Sequence, residues 1–130
     1  MNNIYPKIES DLESIGAKYF INEPMSRHTT FGIGGPVDLL ILPKDNSQIP
    51  GIINSINKYK INFYFLGSGS NILVSDKGIR GAVISLKKSS KKITFYESTV
   101  LVECGVMLGT LVKQLNNKNI TGFESLMGVP

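Results

Sequence analysis

Apolar residues recur at helical spacing in three stretches of the chain, and each stretch predicts an amphipathic helix. The first stripe would end at Gly16, and the second would begin at a cap supplied by Asn46 or Ser47, with Pro50 in its first turn. The third would end near Asn119. The three stripes are Ile4, Ile8, Leu12 and Ile15; then Ile49, Ile52, Ile53 and Ile56; then Met107, Leu108, Leu111, Val112 and Leu115.

Shorter apolar runs between these stripes predict strands. The near-continuous run 37–42 is typical of a strand covered on both faces. Further predicted strands are residues 62–66, the short Ile72–Val74, and 81–86. In residues 93–97 and 99–104, apolar and polar residues alternate on either side of a tight turn at Ser98, which predicts an antiparallel hairpin. Because the strand 37–42, the second helix and the strand 62–66 follow one another, the first part of the chain should contain a parallel βαβ unit. Residues 24–36 are rich in turn formers and predict an ordered loop.

Composition limits the class of protein. The 130 residues are 42% hydrophobic and 18% charged, which excludes a disordered acidic tail, a collagen-like repeat and a long coiled coil, and leaves one compact domain or a piece of a larger protein. No apolar run is long enough to span a bilayer, and charges in residues 1–17 interrupt any signal-peptide core. With a single cysteine, Cys104, we expect no internal disulfide and a cytoplasmic protein.

The net charge is +4, and 12 of the 14 cationic residues are lysines. Most of these lysines are scattered along the chain. The one cluster, residues 87–92, lies between two predicted strands and has no aromatic residue to stack on a base. An exposed connection is the favoured interpretation, and a patch that binds phosphate or RNA is the alternative.

The strongest local signal for ligand binding is the bend Gly67-Ser68-Gly69-Ser70-Asn71 after a buried strand. Glycines allow positive φ angles, and successive N–H groups can converge on an anion such as a phosphate. The alternative is an ordinary turn. Two known phosphate motifs do not fit: the Rossmann pattern needs a third glycine where Ile72 stands and then a helix, and the P-loop needs Gly-Lys-Ser/Thr.

Other chemically active residues carry weaker signals. The lone His28 is interpreted as a hydrogen-bonded structural residue, and no set of histidines and cysteines predicts a metal site. Cys104 is expected to be a small core residue. Arg27 is compatible with a clamp for phosphate or carboxylate and equally with a surface ion pair.

Three segments together resemble the UDP-N-acetylmuramate dehydrogenase family, also called UDP-N-acetylenolpyruvoylglucosamine reductases. They are residues 26–38 (SRHTTFGIGGPVD), which resemble its N-terminal signature, 66–74 (LGSGSNILV), which resemble its flavin diphosphate loop, and 122–130 (GFESLMGVP), which resemble the opening of a second glycine motif. Their order and spacing agree with the family from about residue 20 to the end. Because the chain stops in an unfinished turn at about half the family's length or less, we expect a truncated protein.

The resemblance implies an α+β fold, namely the two-subdomain FAD-binding fold of the vanillyl-alcohol oxidase type. Residues 1–87 would form the complete first subdomain, built on the βαβ unit, and 88–130 the truncated start of the second, with the substrate domain absent. The implied cofactor-binding residues are Gly67, Ser68, Gly69, Ser70, Asn71, Ile72, Leu73, Glu124, Gly128, Val129 and Pro130.

The resemblance also implies an activity for the parent enzyme. This would be an FAD-dependent reductase that uses NADPH to convert UDP-N-acetylglucosamine enolpyruvate to UDP-N-acetylmuramate in peptidoglycan precursor synthesis, and so serves cell-wall biogenesis, cell shape, cell division and the cell cycle. Its catalytic residues would lie beyond Pro130, so the fragment should be inactive, and we expect a monomer that binds neither membrane nor nucleic acid. The alternatives are an FAD-linked oxidase of a sugar, alcohol or hydroxy acid, and a non-enzymatic module that binds nucleotides or RNA.

Overall fold

The computed structural model describes residues 5–129; Met1–Ile4 and Pro130 lie outside the described residues. Short 3-10 turns occur at Met25–Arg27, Asn46–Gln48 and Glu124–Leu126. The helices and strands follow in the order α1 (Tyr5–Ile15), β1 (Lys18–Pro24), β2 (Pro36–Leu42), α2 (Ile49–Lys58), β3 (Phe63–Leu66), β4 (Ile79–Ser85), β5 (Ile93–Phe95), β6 (Val100–Val102) and α3 (Leu108–Asn117).

The three predicted helices are confirmed within the described residues. Helix α1 buries Ile8 and Leu12 completely and stops at Gly16, which adopts a φ of 75° that other residues rarely tolerate. The predicted start at Ile4 lies outside the described residues. The predicted cap of α2 is wrong: Asp45, not Asn46 or Ser47, accepts a hydrogen bond from the backbone N–H of Ser47 and begins the 3-10 turn that leads into the helix.

Four strands of residues 5–129 form a sheet in the order β1-β2-β4-β3. Strands β2 and β3 both run parallel to β4, which lies between them, so the predicted parallel βαβ unit is present with one strand inserted. Strand β1 pairs antiparallel with β2 and was not predicted. Its residues are all exposed or half-buried, so they give no clear alternation in the sequence.

Both faces of the two central strands are buried, as the apolar run 37–42 predicted. Leu39, Ile41 and Ile84 pack under α1 and α2 on one face. On the other face Leu40 and Val83 pack against Met25, from the first 3-10 turn, and Val74, from a loop, and not against an α-helix. The loop-covered face therefore leads directly to the segments that contain the glycine bend.

The predicted strand Ile72–Val74 is wrong. The segment forms no ladder in the structure, although Gly35 donates a backbone hydrogen bond to Ser75 beside it. Val74 is buried in the loop-covered core while Leu73 is 73% exposed. The apolar triplet thus contributes one buried side chain to the core without pairing with any strand of residues 5–129.

After the sheet, the chain forms the predicted hairpin and the third helix. Strands β5 and β6 pair antiparallel and are shorter than predicted, and Tyr96 donates a hydrogen bond to the Thr99 carbonyl across the turn. Helix α3 buries Val112 and Leu115 and is followed by Asn119 at a φ of 57°. None of the helices in residues 5–129 is long and apolar enough to cross a membrane.

Candidate functional site

The glycine bend, residues 67–71, follows β3 at its carboxyl end. Among residues 5–129, no hydrogen bond takes up any of the five backbone N–H groups of this bend. The hydroxyls of Ser68 and Ser70 lie 2.7 Å apart and hydrogen-bond to each other. The bend therefore presents main-chain donors without internal partners, which is the arrangement that an anion-binding turn requires.

Neighbouring backbone holds the bend in place. Gly69 adopts a φ of 76°, and a Cβ built there would overlap the carbonyl oxygen of His28. The N–H of Thr30 donates to the Gly69 carbonyl at 2.9 Å. The glycine at position 69 is thus explained by contact with the 28–30 loop, and this contact gives the 26–38 signature a role that the sequence did not reveal.

The side chains of the same loop are held by a carboxylate of β1. His28 Nε2 lies 2.9 Å from Glu23 Oε1, and Arg27 makes a longer ion pair of 3.7 Å with the same carboxylate. The interpretation of His28 as a hydrogen-bonded residue agrees with this contact. For Arg27, the structure shows the surface ion pair, with 70% of the side chain exposed.

A cleft of about 600 Å³ opens beside the bend, a volume typical of cofactor and small-molecule sites. One wall contains residues 67–72, and the facing wall contains Cys104 and residues 106–109 together with Gly128 and Val129. The structure thus brings two separately predicted segments, the bend and the second glycine motif, to one cleft. None of the described residues that line it is charged.

Three of the predicted cofactor-binding residues do not line this cleft in the described structure. Leu73 points into a second cavity of about 580 Å³, which shares Phe65, Leu66 and Ile72 with the first. Glu124 is exposed, and its carboxylate accepts a hydrogen bond of 2.7 Å from the N–H of Gly122. Pro130 lies outside the described residues.

Sequence reasoning missed the wall formed by residues 104–109. The prediction that Cys104 is a core residue is wrong, because β6 ends at Val102 and Cys104 is exposed in the following turn, on the cleft. Met107, Leu108 and Gly109 form the N-terminal turn of α3, whose N–H groups are natural partners for an anion. Met107 is 59% exposed in the structure, although the sequence placed it on the apolar stripe of the predicted helix.

The lysine cluster of residues 87–92 is an exposed connection, as the favoured interpretation predicted: its four lysines are exposed, and Ser90 alone is buried. Within residues 5–129, no group of three histidine, cysteine or acidic side chains is placed to hold a metal ion.

The family model for the FAD binding domain matches residues 36–129, which include the bend and both walls of the cleft. The chain belongs to this FAD-binding family. The resemblance seen in the sequence is confirmed by a curated relative from Alkaliphilus metalliredigens named UDP-N-acetylenolpyruvoylglucosamine reductase, which is 39% identical over 111 residues. That match covers 85% of this chain and 36% of the relative, so the chain spans little more than a third of the relative's length.

Solved structures agree with the α+β FAD-binding fold. The UDP-N-acetylenolpyruvylglucosamine reductase from Thermus caldophilus is 25% identical with a TM-score of 0.59, over 88% of this chain and 38% of that one. A p-cresol methylhydroxylase with bound substrate is similar in fold alone, at 19% identity and a TM-score of 0.66, over 92% of this chain and 26% of that one.

The residues of the cleft fit FAD. The dinucleotide carries a diphosphate, which needs several hydrogen-bond donors, and apolar rings, which need apolar walls. The N–H groups of residues 67–71 and the start of α3 provide the donors. The apolar contacts come from the side chains of Phe65, Leu66, Ile72, Val106 and Met107.

Proposed function

We propose that this chain is the cofactor-binding N-terminal part of an FAD-dependent UDP-N-acetylenolpyruvoylglucosamine reductase. The observation that carries the proposal is the cleft beside the bend, whose backbone N–H groups have no partner among residues 5–129, in a chain that matches the FAD-binding family. The name of the curated relative supports the choice of substrate. Bound FAD would supply hydride transfer.

The residues of this chain bind and orient the cofactor in this proposal. Backbone N–H groups of residues 67–71 hold the diphosphate, with no side-chain rotamers to order. Ile72, Gly128 and Val129 limit the cleft on either side of the bend. Leu73 and Glu124, which do not line this cleft, and Pro130, which lies outside the described residues, remain cofactor-binding proposals that rest on the resemblance alone. The catalytic groups are proposed to belong to residues after Pro130.

The wider role follows from the same proposal. The full enzyme would take hydride from NADPH, reduce the enolpyruvyl group of its UDP-sugar substrate in the cytoplasm, and serve peptidoglycan synthesis and thereby cell shape, division and the cell cycle. We also propose a monomer, and a division into a first subdomain of residues 1–87 and the beginning of a second at 88–130. The formation of separate sheets by β1–β4 and by β5–β6 supports that division.

The reductase is favoured over the two alternatives. The relatives that match at 34–42% identity carry the reductase name, whereas the similarity to p-cresol methylhydroxylase concerns the fold alone. A nucleotide- or RNA-binding module would not need the second glycine motif, yet Gly128 and Val129 lie on the same cleft as the bend.

The position of the diphosphate can be tested with one added charge. Asn71→Asp places a carboxylate on the bend, and the like charges should weaken FAD binding at least tenfold, which is about 1.4 kcal/mol. The matched control is Asn54→Asp, which makes the same charge change at an exposed position of α2. FAD affinity is measured by quenching of flavin fluorescence. Equal affinities for the two variants would show that the diphosphate does not lie against the bend.

The substrate can be tested with a chimera. This chain replaces the matching segment of the Alkaliphilus metalliredigens relative, and FAD content and NADPH oxidation that depends on the UDP-sugar are measured. We expect a flavin-loaded, active chimera. A folded chimera that holds FAD but has lost reductase activity would contradict the assignment of this chain to that reaction.

A further inference from the structure

Three polar side chains from separate segments meet behind the wall of residues 104–109. Ser90, which is 3% exposed, donates its hydroxyl to Asn46 Oδ1. Asn46 Nδ2 donates to Glu103 Oε1 at 2.7 Å, and the other oxygen of this carboxylate accepts the backbone N–H of Lys92 at 2.7 Å. The start of the α2 region, the lysine-rich connection and the end of the hairpin are therefore joined by one network, the Asn46 network.

Backbone contacts carry this connection into the cleft wall. Gly105 donates to the Ser90 carbonyl at 2.8 Å, and Glu103 donates to the Lys92 carbonyl at 3.0 Å. A Cβ at Gly105 would overlap the carbonyl oxygens of Leu86 and Ser90. The chain at 103–105 is thus attached by backbone hydrogen bonds to the connection that leaves β4.

The wall that follows faces the bend closely. A Cβ at Gly67 would lie 3.2 Å from the Cys104 carbonyl oxygen, so the two walls almost touch at this end of the cleft. A shift at Glu103 would therefore change the width of the cleft at Cys104, one residue later.

We propose that Asn46, Ser90 and Glu103 are positioning residues that set the distance between the two walls of the FAD cleft; this inference rests on the proposed function. Asn46 is suited to the centre of the network because its amide accepts from the Ser90 hydroxyl and donates to the Glu103 carboxylate at the same time. An aspartate at this position could still accept from Ser90 but would face the Glu103 carboxylate with a like charge.

This chemistry allows a test by loss and rescue. Asn46→Asp should move the two walls apart. The double substitution Asn46→Asp with Glu103→Gln should restore the original distance between them, because the amide introduced at position 103 can donate to the new carboxylate and still accept from the Lys92 N–H. Glu103→Gln alone should have little effect, since the Asn46 amide can turn over and the Ser90 hydroxyl can accept in place of donating. Asn54→Asp is the control for the added charge.

The distance between the two walls is measured in the absence of FAD with a spin label on the single cysteine, Cys104. A nitroxide on Cys104 broadens the amide NMR signals of residues 67–71 in the unsubstituted chain, and we expect weaker broadening in Asn46→Asp and recovery in the double variant. Unchanged broadening in Asn46→Asp, or no recovery in a double variant that folds, would overturn the inference. If Asn46→Asp does not fold, Asn46→Ala takes its place for the loss of broadening.

FAD affinity is measured on the same variants without the label. We expect Asn46→Asp to weaken binding about tenfold and the double variant to return to within about twofold of the unsubstituted chain. An unsubstituted chain that binds no FAD would count against the proposed function while the NMR result still decides whether the network sets the wall. FAD binding that is equal in all variants would contradict the inference alone.

Discussion

Replacing Gly69 by alanine tests how the bend is held. At a φ of 76° an alanine costs about 1–2 kcal/mol relative to glycine, because its Cβ approaches its own carbonyl. The same Cβ would also overlap the His28 carbonyl oxygen, so the bend or the 28–30 loop must move. The movement should break the bond from Thr30 N–H to the Gly69 carbonyl, at about 1 kcal/mol. We therefore expect Gly69→Ala to lower the free energy of unfolding by about 2–3 kcal/mol.

The matched control is Gly32→Ala in the neighbouring loop. Gly32 has a similar φ of 67°, but a Cβ there would meet nothing within 4 Å, so only the backbone cost of about 1–2 kcal/mol applies. Urea unfolding followed by circular dichroism gives both values, and an amide NMR spectrum reports on Thr30. If the two variants lose the same free energy and Thr30 keeps its resonance, the His28 carbonyl does not constrain the bend.

Two further predictions concern single side chains. The hydrogen bond of 2.9 Å to Glu13, with Glu9 nearby, raises the pKa of Tyr19 to about 12. The contribution of this hydrogen bond to the free energy of unfolding is therefore fully present below pH ~10 and is lost as the pH rises through the pKa of the folded state. Titration of the phenolate absorbance should show a lower pKa for Tyr19 in Glu13→Gln, and an unchanged one would contradict this cause. Cys104 should react readily with a thiol reagent and more slowly once FAD is bound; slow reaction of the free chain, or equal rates with and without FAD, would contradict its place on the cleft.

Local periodicity predicted the helices and the central strands because each buries a continuous stripe or run. It failed where a partner distant in sequence decides the structure. Residues 18–24 form β1 by pairing with β2, whereas the apolar triplet 72–74 pairs with no strand of residues 5–129. The cap of α2 was ambiguous for a different reason: Asp45, Asn46 and Ser47 all have suitable side chains, and only the 3-10 turn selects Asp45.

The candidate site was predictable where glycines mark it and hidden elsewhere. The bend and the second glycine motif were found from composition and resemblance, and the structure places eight of the eleven predicted cofactor-binding residues on one cleft. Cys104 was misplaced because the alternation of the hairpin was extended past Val102, whereas the backbone of Glu103 and Gly105 turns the chain towards the connection at 90–92. That turn depends on contacts that cross the chain and leaves no periodic pattern.

The insertion of β4 between β2 and β3 has a consequence for biosynthesis. As the polypeptide leaves the ribosome, β1 and β2 can pair as soon as both are available, but β3 pairs with β4 and with no other strand of residues 5–129, and β4 is translated later. During that interval an edge of sequence Phe-Tyr-Phe-Leu remains unprotected, and such nascent segments are the ones on which chaperones act and from which aggregates grow.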